Sequence, residues 1–600
     1  MRGLDWAVVG AYAAASALFA VWFARRRRGA HSGEEYMVAG RRLPWWIVGI
    51  ADVATADGAD AFFVFTFFVG GFMGFHRLFW ITSAVAFPLG VLWARYWRRL
   101  RLATPGQLYE ERYGGRAAAG FRGVSAVYGA LVNTSIVLAY VLKGFAQIMK
   151  PFLGWPDDLI LLVFCGTTLL YTLLSGLLAV AYTDVVQFAL MMVGRVVLAV
   201  LVVSAAGGMT AVLDRVETVR GAAFLQPYPP GVGAVYGKFA VDGLSLAALV
   251  LAGLMGVAGT QSATVQKSLA ARDELHAAGG QILGTVLSLV VRLLPMTIVG
   301  LVAVAVFAPG RTDTDMWADL VRAHVGPGLL GLLLVGIAAG YMSTIDGFVN
   351  FAASGVLNDF FKRHVNPAMS ERRQVNVGRC VTVAVMASAY LWARLLIANI
   401  DEAWINFINS VTGLFMLPLA LLRWTWWRLN IWGEVVGFVG SFPLAYVVWF
   451  GLGRWMPAFK DRPYWQSFAL LVGVGWGLIL TVTWLTRPER LETLKAFYVK
   501  ARPPGWWRPV AAAAGLDDGE RRARAAELRH DVGTGAAGIV FAAALVVGMG
   551  AAFARRWGLC AATAAAATAA GVAFGWLTVG GERLRRRLGE ADALPAHAAA

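Results

Sequence analysis

The sequence predicts an all-α polytopic membrane protein, and three observations carry that prediction. Of the 600 residues 58% are hydrophobic and only 15% charged, whereas a soluble chain averages about 25% charged residues. Apolar runs of the roughly 20 residues needed to cross a bilayer recur from one end to the other. Lys and Arg outnumber Asp and Glu 53 to 36, giving +17, and they cluster in the loops between those runs. This excludes a soluble enzyme, a disordered tail protein and a secreted disulfide scaffold. Cys165, Cys380 and Cys560 lie in apolar stretches at no metal-ligand spacing, so they read as small buried hydrophobes.

Spans are expected near 5–24, 44–73, 77–97, 120–149, 157–179 and 183–206. Others follow near 238–259, 278–308, 325–358, 374–398, 404–422, 430–451 and 465–485, with a last pair near 534–554 and 557–579. That makes about 15 helices. No cationic segment precedes the first, and no A-x-A-like cleavage site precedes Arg25–Arg28, so it is kept as a helix and not a signal peptide. The loops holding Arg25–Arg28, Arg95, Arg98, Arg99, Lys362, Arg363 and the final arginines share one face. The positive-inside rule makes that face cytoplasmic: N-terminus out, C-terminus in, in the cytoplasmic membrane. Topology explains the basic excess, so nucleic acid is not an expected partner.

An ionisable group in hydrocarbon costs about 2.5–3.5 kcal/mol on insertion scales and faces protein, water or a ligand. The 44–73 span carries Asp52, Asp57 and Asp60 in "IADVATADGADAFF". At 100° per residue they fall within roughly 140°, one face of a helix. Gly58 and small alanines among them suit a helix that unwinds and offers carbonyls to a cation. The 325–358 span bears Gly336, Gly340, Ser343, Thr344, Gly347, Asn350 and Ser354 at helical spacing. Close helix packing and cation binding both explain that stripe. Asp346 and Asn350, four apart, lie near the same face. Arg195 and Arg292 stand in mid-span and Asp184 opens the 183–206 helix. A buried arginine suits a carboxylate, either of a substrate or of one of these aspartates. No His pairing, P-loop or nucleophile–base pair is present, so no catalytic residue is assigned and no enzyme is expected.

At these residues the chain resembles the sodium:solute symporter family of sodium/glucose, sodium/proline and sodium/pantothenate carriers, as a bacterial member. The resemblance rests on "YMVAGRRLPWWIVG" at 36–49, "TPGQLYEERYG" at 104–114 and "YTLLSGLLAVAYTDVVQ" at 171–187. "VQKSLAARDE" at 265–274, "AGYMSTIDGFVN" at 339–350 and "LRWTWWRLNIWGE" at 422–434 extend it. It implies a LeuT-type five-plus-five inverted repeat with one extra N-terminal helix and about four C-terminal ones. The expected units are 1–35, 36–206, 207–237, 238–422, 423–485, 486–533 and 534–600. The first and last hold the extra N-terminal helix and the final helix pair. The second and fourth are the repeats, the third an outer loop, the fifth two further helices and the sixth an amphipathic cytoplasmic segment.

The resemblance also implies a sodium site between the broken first core helix and the eighth. Ser343 and Thr344 match its paired hydroxyls, and Gly340 and Ala54 its carbonyls. Asp57 stands where the family offers only a carbonyl, a departure. It either adds a carboxylate to the site or lies beside it and takes a proton. Asp184 matches an aspartate of the cation pathway, Asp60 a substrate-facing position of the sugar carriers, and Arg292 a substrate-facing lysine. Asp346 and Asn350 complete the expected substrate set. Val257 and Ala258 stand where sugar carriers place an aromatic gate, which argues against a sugar. The expected activity is sodium-coupled import of a small polar solute, amino-acid-like or carboxylate, by a monomer. Sodium is its coupling ion and no cofactor is expected. A proton-coupled carrier of the same fold and a transporter-like sensor remain the alternatives.

Overall fold

The computed structural model describes residues 1–26, 37–58, 73–173, 177–226, 235–236, 239–240, 243–256, 262–307, 313–395, 417–447, 451–456, 464–516 and 518–587. Its first helices are α1 (Gly3–Arg26), α2 (Trp45–Ala56), α3 (Met73–Leu100) and α4 (Gln107–Tyr113). They continue as α5 (Gly115–Leu153), α6 (Asp157–Thr172), α7 (Leu177–Ala205) and α8 (Met209–Arg220). A short antiparallel pair follows, β1 (Val235–Tyr236) with β2 (Phe239–Ala240). Next come α9 (Gly243–Gly256), α10 (Ala263–Ala270), α11 (Glu274–Val306), α12 (Asp313–His324), α13 (Leu329–Val365), α14 (Glu371–Leu395) and α15 (Leu417–Thr425). The chain ends with α16 (Ile431–Tyr446), α17 (Leu452–Trp455), α18 (Tyr464–Leu485), α19 (Leu491–Ala501), α20 (Arg508–Ala513), α21 (Asp518–Phe553) and α22 (Trp557–Arg587).

Eight helices among the described residues are long and apolar enough to cross a bilayer, and Gly3–Phe19, Trp45–Ala56 and Ile431–Ser441 are shorter apolar helices. The chain is a multi-pass membrane protein. The expected spans near 44–73 and 404–422 run partly through 59–72 and 404–416, outside the described residues.

Local chemistry sets several helix starts. Free N–H groups in the first turn need acceptors. Ser262 accepts from Val265 N at 3.3 Å, Asp273 from His276 N at 2.8 Å and Asn430 from Gly433 N at 3.2 Å. The cap of α13 comes from another helix: Asp5 of α1 accepts from Gly328 N at 2.7 Å and Gly331 N at 3.0 Å. This fastens α1 to the most buried of the eight long apolar helices among the described residues.

Around α13 pack α1, α2, α5, α7 and α14. The small-residue stripe explains the closeness. A Cβ on Gly336 would lie 3.0 Å from Leu190 O of α7, and one on Gly347 2.5 Å from the Thr55 side chain of α2. The glycines of α13 thus seat two neighbours.

The 486–533 segment is docked against the bundle. Leu494, Phe497, Ala501, Trp507 and Val510 are buried in one apolar cluster with Trp97, Leu100 and Trp424. Helix α19 is the expected amphipathic piece, whereas from Asp518 the chain already runs in α21. The α21–α22 hairpin packs on α3 through Arg95–Asp531 at 3.3 Å and Arg99–Glu527 at 2.7 Å. Within 207–237, Met209–Arg220 forms α8.

Candidate functional site

Helix α2 stops at Ala56, and this end is the centre of the site. Asp57 N makes only a long bond, 3.3 Å, to Ala54 O, and Gly58 N turns away to donate to Thr344 Oγ1 of α13 at 2.8 Å. A Cβ on Gly58 would fall 2.7 Å from that hydroxyl, so glycine is required by the approach of α13. Small residues at the expected unwinding point therefore let one helix end against the side of another.

Ser343 and Thr344 lie on α13 facing different partners. Thr344 Oγ1 also donates to Gly340 O at 3.2 Å, one turn back on its own helix. Ser343 Oγ donates to Asp184 Oδ1 of α7 at 2.5 Å. Thr344 Oγ1 and the Gly340 carbonyl thus meet the end of α2, while Ser343 Oγ meets the fully buried Asp184 carboxylate. Oxygen donors of this kind suit a hard cation.

Asp57 does something different from its neighbours. Its carboxylate is fully buried and receives Arg195 Nη2 at 2.6 Å, with Arg292 Nη1 at 3.3 Å. Arg292 also donates to Ala56 O at 3.2 Å. A widened helical turn, Leu287–Val291, precedes Arg292, and Pro295 follows within α11. Such turns re-aim a side chain, and a proline has no N–H to require an acceptor there. Two guanidiniums share the Asp57 carboxylate. Arg195 Nη1 is buried with no hydrogen-bond partner among the described residues. Of the two fates open to a buried arginine, pairing with an aspartate is therefore the one found.

Lys267 was not singled out from the sequence as a site residue, although it lies inside a quoted motif. Its ammonium reaches Ala51 O and Thr55 Oγ1 of α2 and stands 4.0 Å from Asp184 Oδ2. It is buried, at 1% exposure. The available signal was a lysine just over one turn into the short helix Ala263–Ala270.

The remaining expected residues are spread out. Asp52 is half-buried and accepts from Gln281 Nε2 at 3.3 Å. Asp346 accepts from Thr172 of α6, on a different side of α13 from Thr344, and Asn350 accepts from Ser354 on its own helix at 3.4 Å. Neither joins the groups gathered at Asp57. Asp60, Val257 and Ala258 lie outside the described residues.

The end of α2 against the side of α13, within this helical bundle, is the arrangement of the LeuT fold. A solved structure of a Na+-coupled sialic acid symporter, in a substrate-bound outward-open state, has this fold, with TM-score 0.66 at 17% identity over 82% of this chain and 99% of its own. The particular lineage follows from the sequence: residues 36–440 match the sodium:solute symporter family, and the chain belongs to it. Similar proteins include the sodium/glucose cotransporter of Vibrio parahaemolyticus, 24% identical over 78% of this chain and 89% of its own. Sodium/glucose cotransporter 4 of Mus musculus is 26% identical over 82% and 75% respectively. The protein is thus a sodium-coupled symporter and not an enzyme.

Proposed function

We propose that this symporter imports a small solute bearing a carboxylate, amino-acid-like or a simple organic acid, across the cytoplasmic membrane with N-terminus out and C-terminus in. The observation that supports this reading is the pair of buried guanidiniums gathered at the end of α2, where Arg195 and Arg292 both meet Asp57. A desolvated guanidinium fork is well matched to a carboxylate. The solute carboxylate would sit against Arg195 and Arg292, and Asp60 would take a cationic end where one exists. Asp346 and Asn350 are given a supporting part on the α6 side of α13.

Sodium would bind the carbonyls of Ala54 and Gly340 and the hydroxyls of Ser343 and Thr344. Asp57 would act beside that site by holding the arginines, and Asp184 would serve the cation pathway. Sodium there favours the arrangement in which α2 rests on α13, which orders the end of α2 and with it the solute site. The free energy is adequate: one charge crossing 100 mV gains about 2.3 kcal/mol. A tenfold sodium gradient adds about 1.4 kcal/mol.

The test is uptake into proteoliposomes across a panel of amino acids, organic acids and sugars, with sodium outside or choline in its place. Sodium-stimulated uptake confined to carboxylate-bearing solutes supports the reading. Stimulation by neutral sugars alone refutes the substrate class. Equal uptake in choline refutes sodium coupling.

A further inference from the structure

A cavity lies among α19, α20 and the first turns of α21, and all its lining residues except Tyr96 of α3 fall beyond the residues that match the family. Its volume is about 200 Å³ and it is half open to the surface. Three arginines line it: Arg502, Arg508 and Arg524. Among the described residues the carboxylate in its wall is Glu527, held by Arg99 of α3 at 2.7 Å, with Arg502 3.9 Å away. Counting Arg502, Arg508 and Arg524 against Glu527, the lining carries a net charge of plus two before Arg99 is included.

The arginines are held at defined places. Arg524 stacks over the Tyr498 ring, 4.5 Å from its centre, and donates to Tyr498 O at 3.2 Å. Tyr498 in turn stacks on Trp507, at 5.8 Å. Arg502 closes α19 with φ 49° and ψ 53°, left-handed backbone where glycine or asparagine is favoured. Arg508 is exposed, and its guanidinium has no hydrogen-bond or ion-pair partner among the described residues. The surroundings belong at a membrane boundary: Trp506 beside the cavity is 70% exposed, and Trp484 at the end of α18 is 64% exposed. Trp concentrates at the headgroup level. Clustered arginine at that level, on the basic face of a membrane protein, meets the anionic groups of lipids.

We propose that this cavity is a binding site for a phosphate-bearing anion, the headgroup of an anionic phospholipid or a soluble phosphate. Guanidinium forks from Arg502, Arg508 and Arg524 hold its oxygens, and the Tyr498–Trp507 stack walls the apolar side. A bound phosphate joins α19 and α20 to α21 and relieves repulsion among the arginines. It therefore stabilises the docked 486–533 segment. The inference does not depend on which solute the transporter carries.

The test uses the full-length purified protein. Native mass spectrometry and thermal unfolding are compared after exchange into phosphatidylglycerol or phosphatidylcholine, and in detergent with or without inorganic phosphate. Wild type is expected to retain phosphatidylglycerol preferentially and to unfold at higher temperature with it. Arg508→Gln, at an exposed position, lowers the preference on the order of fivefold, and the variant with all three arginines changed to Gln loses it. Stabilisation by inorganic phosphate alone, absent from the triple variant, identifies a soluble source and supports the same site. No preference and no stabilisation in wild type, with either probe, overturns the proposal. So does a preference that survives in a folded triple variant.

Discussion

Asp57 shows how a single side chain changes the meaning of a motif. The sequence placed three aspartates within roughly 140° of helix surface, and that pattern alone reads as a cation or substrate site. The structure commits Asp57 to Arg195 and Arg292 instead. Those partners lie 138 and 235 positions away, so no local pattern could pair them. Removing one member of a buried ion cluster costs about 3–5 kcal/mol, because the charges left behind are unpaired. Asp57→Asn is therefore expected to lower thermal stability strongly. An unchanged unfolding temperature would contradict the pairing. Arg195→Gln, which removes the guanidinium next to the proposed carboxylate, is expected to raise KM on the order of tenfold or more. That change should leave the sodium dependence of uptake intact. Ser343→Ala combined with Thr344→Ala should do the reverse, weakening apparent sodium affinity at least about tenfold for two lost ligands.

Between helices, contact distance decides what glycine does. The residues of the 325–358 stripe do different things at different positions. Gly336 and Gly347 serve close packing, whereas Ser343 and Thr344 carry hydroxyls to α7 and to the end of α2. A Cβ at Gly347 would meet Thr55 at 2.5 Å. Gly347→Val should push α2 from α13 and abolish sodium-stimulated uptake while the protein still reaches the membrane. Retained sodium stimulation would show that this contact does not matter.

The "TPGQLYEERYG" segment, which the sequence offered only as a motif of family resemblance, builds a latch. Glu110 in α4 binds Arg122 of α5 and Arg363 of α13, the latter at 2.8 Å. Burial alone would raise the Glu110 carboxyl, but hydrogen bonds from Arg363 and Arg122 hold it below its usual value. Its stabilising contribution is thus complete above the ordinary carboxylate range and is lost as pH falls through the depressed folded value. The stability difference between wild type and Glu110→Gln, followed by thermal unfolding, should shrink at acid pH. A difference that grows on acidification would contradict the latch.

Over the whole molecule, the sequence made legible whatever short-range pattern encodes. Apolar runs revealed the spans, and small residues in "IADVATADGADAFF" revealed where α2 would end. The Ser343–Thr344 pair stood out as adjacent hydroxyls on an apolar helix. The missing part depended on tertiary pairing: Lys267 reaching across to α2 and Asp184, Asp5 capping a helix more than 300 positions away, and the docking of 486–533. Charge in this protein accordingly has two uses. Most of the basic excess lies in loops, while a few buried arginines, aspartates and one lysine organise the meeting of α2, α7, α11 and α13.

Sodium and a carboxylate-bearing solute are proposed to move together through that meeting point. This coupled movement is tested most directly by radioactive sodium flux into proteoliposomes, measured with and without a solute from the panel. The account predicts that a carboxylate-bearing solute accelerates sodium entry in wild type, and that the combined Ser343→Ala and Thr344→Ala variant abolishes the acceleration. Solute uptake that proceeds with no accompanying sodium flux would contradict it.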